Sequence, residues 1–226
     1  MSELLEVIEV ETGPNPTWAV IWMHGLGADG HDFAGIVPEL KLDGSGPVRF
    51  VFPHAPAIPV TCNNGYVMRA WYDILELGSL SRHVDEDGLK ESREAIRRLI
   101  ARENARGIPC ERIVLAGFSQ GGAMAYTTGL THGEKLAGII ALSTYFPSLG
   151  LIEAESTAAN ALTPVFAAHG SMDPVVPAAL GADAAKRVST PGRQVDWHTW
   201  AMPHTVVLEE IALIGKWLRE RIAAAN

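Results

Sequence analysis

The 226-residue sequence holds only two cysteines, Cys62 and Cys110, and neither sits at a metal-ligand or redox spacing. Spacing therefore points to no disulfide framework, zinc knuckle or redox pair, and both thiols read as buried or incidental. Long apolar runs are missing too: none approaches the ~20 residues that a bilayer-spanning helix requires. The opening stretch MSELLEVIEVE is acidic and lacks the basic and long apolar regions of a secretory signal. Positive charge is scarce, with 18 Lys and Arg against 26 Asp and Glu, a net charge of −8. The densest basic stretch, Arg93 to Arg98, is interrupted by Glu94, so phosphates would find no continuous counter-charge and nucleic acid is excluded as a partner. No repeat, low-complexity tract or Pro/Ser-rich linker marks a boundary. The expectation is a single domain over residues 1–226, with no membrane span and a cytoplasmic location.

What is present is alternation. Short β-branched runs occur at residues 18–23, 48–52, 112–116, 137–142, 164–168 and 194–200, several of them almost continuously apolar. Such runs are typical of parallel strands covered on both faces. Helical patterns lie between them. Residues 85–104 place Leu89, Ile96, Leu99 and Ile100 on one stripe, and residues 206–224 do the same with Val207, Ile211, Ile214, Leu218 and Ile222. The order predicts an α/β fold with a mostly parallel sheet and helices on both faces. Ligands of such sheets sit beyond the carboxyl ends of the strands. Residues 53–81, with Pro53, Pro56, Pro59, Tyr66, Trp71 and Tyr72, fit neither pattern and read as a long excursion over the sheet, with room for a short hairpin.

The most informative stretch is ERIVLAGFSQGGAMAYTTGL, residues 111–130. A buried strand gives way to a helix at Gly117-Phe118-Ser119-Gln120-Gly121. A sharp strand-to-helix turn would lift the Ser119 hydroxyl clear of the backbone, and Gly117 and Gly121 are small enough to let it close. The helix N-terminus would face developing negative charge. The five-residue pattern arises by chance in roughly one chain in ten of this composition, so its partners must decide.

A serine needs a base and an orienting acid, in the chain order serine, acid, histidine. Of the histidines after Ser119, His198 falls within a strand, His169 at a strand end and His132 near a helix end. His204 alone lies in a loop between the last strand and the last helix, and it is the expected base. Asp183 and Asp196 fall within a helix and a strand. Asp173 directly follows a strand and is the expected acid, although an Asp-Pro turn explains it equally simply. A second amide for an oxyanion is expected from His24-Gly25-Leu26-Gly27, where the N–H of Leu26 would join that of Gln120. A phosphate loop is the rival reading there: Gly25, Gly27 and Gly30 do carry the G-x-G-x-x-G spacing, but no Lys-Ser/Thr follows them.

The blocks HGLGAD (24–29), AWYD (70–73), AGFSQGGA (116–123) and ALSTY (141–145) closely resemble the carboxylesterase and acyl-protein thioesterase family of α/β-hydrolases. The resemblance runs in order from Trp18 to Arg221. It implies an α/β-hydrolase fold with a minimal lid or none, and Ser119, His204 and Asp173 as nucleophile, base and acid. It implies Leu26 and Gln120 as oxyanion donors, and Trp71 and Tyr72 as walls of a shallow acyl groove. Two departures stand out: Pro203 and Thr205 flank His204 where the family has glycine and often an acid, and Arg69 replaces a smaller or apolar residue. The expected activity is hydrolysis of short to medium acyl esters through an acyl-enzyme, without metal or organic cofactor. Acyl-protein thioesterase and lysophospholipase activities are compatible with the same residues, and a homodimer is left open. The rival of another class is a catalytically silent binding module.

Overall fold

The computed structural model describes residues 4–78 and 82–225. The chain opens with β1 (Val7–Glu11), β2 (Trp18–Met23), the short α1 (His31–Ala34) and β3 (Val48–Pro53). Two antiparallel hairpins follow, β4 (Ala57–Val60) with β5 (Tyr66–Arg69) and β6 (Ile74–Leu77) with β7 (Arg82–Val84). Then come α2 (Glu86–Ala105), β8 (Ile113–Phe118), α3 (Gln120–Thr131), β9 (Gly138–Leu142), α4 (Leu149–Glu155), β10 (Val165–Gly170), α5 (Ala178–Val188), β11 (Val195–Trp200) and α6 (Leu208–Ala224). The excursion expected over residues 53–81 is thus two hairpins outside the main sheet, and its residues 79–81 lie outside the described residues.

The main sheet has seven strands in the order β1-β3-β2-β8-β9-β10-β11. All neighbours run parallel except β1, which pairs antiparallel with β3 at one edge. Edge strand β1 was not expected. Its VIEVE alternation suits a strand with one wet face, but it is short and sits inside an acidic opening.

Alternation along each central strand divides the core in two. In β2, Ala19, Ile21 and Met23 face one side, with Leu89, Ile96 and Leu99 of α2 and Ala123 of α3. Val20 and Trp22 face the other, with Phe33 of α1 and Ile211, Ile214 and Leu218 of α6. A strand sandwiched in this way needs apolar residues at every position, and all six residues of β2 are buried. Each large aliphatic side chain so placed contributes about 1.5–3 kcal/mol. Helix α2 starts where the Asp85 carboxylate accepts the Asp87 N–H, a side-chain cap for one orphan amide. Helix α3 is buried along all twelve residues. Glycine, alanine and threonine there let it lie close on the sheet at the sheet's centre, which places its N-terminus at the carboxyl ends of β8 and β2.

Candidate active site

Ser119 joins β8 to α3 with φ +54° and ψ −119°. A non-glycine residue in that region costs roughly 1–3 kcal/mol and persists only where its surroundings impose it. Here they do. The Ser119 N–H donates to the Leu142 carbonyl at 2.8 Å, and the Thr144 hydroxyl donates to the Ser119 carbonyl at 2.6 Å. A Cβ on Gly117 would stand 2.2 Å from the Gly121 backbone, and one on Gly121 would stand 2.2 Å from the Met23 carbonyl oxygen. Both approaches are far inside contact distance, so the two glycines let the turn close.

Asp173 follows β10 in a turn that its own side chain organises. Oδ1 accepts the N–H groups of Val175 and Val176 at 2.8 and 2.9 Å. Oδ2 lies 2.6 Å from Nδ1 of His204. The turn residue and the histidine partner are therefore one residue, each role using one oxygen. With Oδ2 as acceptor, His204 Nδ1 carries the proton and Nε2 is left for another group. Phe118 packs against the His204 ring, centroids 4.6 Å apart.

Ser119, His204, Leu26 and Gln120 line one cavity of about 340 Å³, whose apolar wall includes Ile74, Leu77, Val175 and Val176. Gln120 is the first residue of α3, so its amide has no carbonyl four residues back to bond within the helix. The Leu26 loop is braced from beneath. The Gly27 N–H donates to the Arg69 carbonyl at 2.8 Å. His24 is buried, accepts the Ala55 N–H on Nε2 at 3.0 Å and lies 2.7 Å from the Gly25 carbonyl through Nδ1. Burial pushes the His24 pKa down, in keeping with a neutral ring.

The chain matches the family described as phospholipase/carboxylesterase over residues 5–222. It belongs to that family of α/β-hydrolases. Acyl-protein thioesterase 1 of Neurospora crassa is 43% identical over 218 residues, covering 91% of this chain and 87% of that protein. The Gibberella zeae protein of the same name is 40% identical over 221 residues, 93% of each. Among solved structures, Arabidopsis thaliana SOBER1 aligns with a TM-score of 0.85 at 30% identity, covering 91% of this chain and 99% of that one.

Against the family expectation for the groove, Trp71 and Tyr72 require a correction. They are 1% and 0% exposed and are absent from the cavity lining. They lie beneath it, with the Trp71 polar atoms and the Tyr72 carbonyl and hydroxyl bonded inside. Trp71 N–H donates to Gln120 Oε1 at 2.7 Å, and Gln120 Nε2 donates to the Tyr72 carbonyl at 2.8 Å. Trp71 Nε1 donates to the His24 carbonyl at 2.9 Å, Ser92 Oγ bonds the Trp71 carbonyl, and the Tyr72 hydroxyl meets that of Tyr145 at 3.0 Å. Arg69 also points away, donating to the Ala55 carbonyl at 2.7 Å.

The family's hydrolase fold here exposes residues that sequence reasoning passed over. Tyr145, Cys62 and Arg82 line the cavity with the aliphatic wall. Tyr145 lay in a recognised block, whereas Ile74, Leu77 and Cys62 carried no signal. Of the remaining histidines, His198 packs on Phe166 and Trp200, and His169 is buried behind Asp173. Two side-chain clusters have metal-ligand chemistry. Asp29, His31 and His54 converge beside the Leu26 loop, and Cys110, His132 and Glu134 converge elsewhere. The second is a proximity that cysteine spacing could not reveal. In the first, His54 Nδ1 already accepts the Gly30 N–H at 3.1 Å, and in the second the Cys110 thiol already contacts the Asn104 amide at 3.2 Å. Among the described residues no helix is long and apolar enough to cross a membrane.

Proposed function

We propose that the protein hydrolyses acyl esters and thioesters with Ser119 as nucleophile, His204 as general base and Asp173 as the orienting acid. The observation that carries this reading is Ser119, held at φ +54° in the same cavity as a histidine whose other nitrogen is committed to a carboxylate at 2.6 Å. A strained turn that only lifted a hydroxyl toward solvent would be a cost without return. Ser119 Oγ attacks the acyl carbonyl while His204 Nε2 takes its proton, and Asp173 stabilises the imidazolium. The amides of Leu26 and Gln120 receive the negative oxygen of the tetrahedral intermediate. As the carbonyl reforms, the bond to the alcohol or thiol breaks and His204 returns the proton to that leaving group. Water then attacks the acyl-Ser119 ester with the same base, and the acid departs.

The half-open cavity with its aliphatic wall suits short and medium acyl chains. The names of the relatives, acyl-protein thioesterase 1 in both fungi, favour thioesters of acylated proteins as a second substrate class beside simple esters. The test is a panel of paired oxygen and thiol esters of rising acyl length, with labelling by a fluorophosphonate probe. Labelling and turnover should both vanish in Ser119→Ala, turnover by roughly four to six orders of magnitude, while thermal unfolding stays near that of the parent. A protein that is never labelled would be a binding module, and turnover retained in Ser119→Ala would move the nucleophile elsewhere.

A further inference from the structure

His169 is the penultimate residue of β10 and is fully buried. Its Nε2 lies 2.9 Å from the Val176 carbonyl oxygen. A carbonyl can only accept, so Nε2 carries the proton and the ring is a neutral donor. The same Nε2 is 3.5 Å from Asp173 Oδ2, the oxygen that meets His204 at 2.6 Å. The other face of the ring is sealed. Nδ1 is buried without a partner among the described residues, and a Cβ on Gly181 of α5 would stand 2.1 Å from it. Trp197 on the neighbouring strand is tilted against the ring at 6.3 Å. A buried lone pair facing a bare helix backbone is an unfavourable arrangement that a Leu at this position would avoid. Burial also lowers the His169 pKa, in keeping with the neutral form.

From this geometry we propose that His169 is a positioning residue. Its Nε2–H donates to the Val176 carbonyl and so ties the far end of the 170–176 turn to the strand, and the positive end of the same N–H lies 3.5 Å from Asp173 Oδ2, which helps keep that oxygen aimed at His204. The inference rests on the triad reading above and deepens it. Asp173 Oδ1 is held by two amides, which leaves small rotations of the carboxylate about that anchor as the motion that would misdirect Oδ2, and His169 Nε2 lies 3.5 Å from Oδ2. Loss of the donor lets Oδ2 drift by a fraction of an ångström, a displacement to which kcat is steeply sensitive. Gly181 belongs to the same device, since it leaves the ring the space it occupies.

The test compares His169→Leu, His169→Gln and Gly181→Ala. The Gln amide nitrogen restores a donor near the position of Nε2, and the Leu side chain does not. His169→Leu should lower kcat about 100-fold with KM within about two-fold, and should abolish the downfield proton resonance of the His204–Asp173 hydrogen bond. His169→Gln should recover most of both. Gly181→Ala, which displaces the ring without removing it, should lower kcat about 10-fold, and that loss should disappear in a His169→Ala background, the coupling expected of residues in contact. Parental kcat and an intact resonance in His169→Leu would overturn the proposal even if the melting temperature fell. Equal losses in Leu and Gln variants would overturn it as well. If neither His169 variant folds, the Gly181→Ala result decides, with parental kcat refuting the role. Failure of the triad reading itself would look different, as turnover in Ser119→Ala or full activity in Asp173→Asn.

Discussion

The serine side and the histidine side of the site are built on opposite plans. Ser119 stands on a turn closed by backbone approaching backbone, between a strand and a helix with no exposed residue. His204 stands in a loop in which Ala201, Pro203 and Thr205 are exposed, secured by short local bonds such as Met202 N–H to Trp200 O and Thr205 N–H to Pro203 O. One side is fixed by steric exclusion, which has no give. The other is fixed by orientation, through the 2.6 Å bond to Asp173. In the proposed mechanism the nucleophile must hold a single position, whereas the base must serve first the serine and then the leaving group. Strain divides in the same way. At Ser119 it is torsional and independent of pH. Beside the histidine loop it is electrostatic, because Glu210, in the first turn of α6, is fully buried and burial raises its pKa to about 7.

The largest effect should come from breaking the steric side. Gly121→Ala drives a Cβ to 2.2 Å from the Met23 carbonyl, and loss of soluble, cooperatively melting protein is the expected result. Ser119→Gly sharpens the same point in the other direction. It relieves the positive φ and should melt higher than Ser119→Ala, by the equivalent of about 1 kcal/mol, with both variants inactive. Equal melting temperatures would mean that the elbow is unstrained.

On the orienting side, Asp173→Asn should lower kcat by roughly four orders of magnitude by mispairing the imidazole. Asp196→Asn is the control. Asp196 accepts Trp217 Nε1 at 2.9 Å, joining β11 to α6, so its loss should cost a little stability and leave kcat alone. A reversed pair of results would reassign the acid.

Electrostatic strain predicts a pH signature. A carboxyl whose folded pKa is raised contributes stability that is fully present below its ordinary value of 4.5 and is lost as pH rises to about 7. Glu210→Gln should therefore match the parent near pH 4.5 and exceed it at pH 8 by up to a few kcal/mol. Melting curves at both pH values check this, and a constant difference would refute it. The smallest effect is expected at Pro203. Replacement by glycine frees the unfolded chain and should cost about 0.4–1 kcal/mol, with activity retained and a shift in preference between small and bulky leaving groups. A rise in melting temperature would mean that proline is strained there.

What was legible in the sequence follows the same division. Ser119, Asp173 and His204 each lie just beyond a strand, and strand ends can be read from apolar runs and glycines. The mostly parallel sheet and its two covered faces were legible for the same reason, whereas the order of its strands was not. The groove wall was not. Trp71 and Tyr72 in a proline-rich excursion read equally as groove walls or as core aromatics, and the tertiary bonds to their backbone and indole atoms decide for the core. Ile74 and Leu77 reach the cavity from β6 and Val175 from the turn after β10, and no periodicity records such a meeting. Edge strand β1 escaped because five residues in an acidic opening carry too little pattern.

Gln120 has a consequence beyond catalysis. Its side chain receives the Trp71 N–H and donates to the Tyr72 carbonyl, so one carboxamide stands in for the peptide group of a neighbouring strand. Only a group that is acceptor and donor at once can do this, and glutamate in its place would leave the Tyr72 carbonyl facing a negative oxygen. The hairpin segment, which has no ladder to the main sheet, is thereby hung from the helix that begins just after Ser119. Insertions or deletions at the tip between β4 and β5 would leave that anchor in register, so the outer rim of the groove is free to change length while its floor is held by this surrogate rung together with the Trp71 indole and Ser92 bonds.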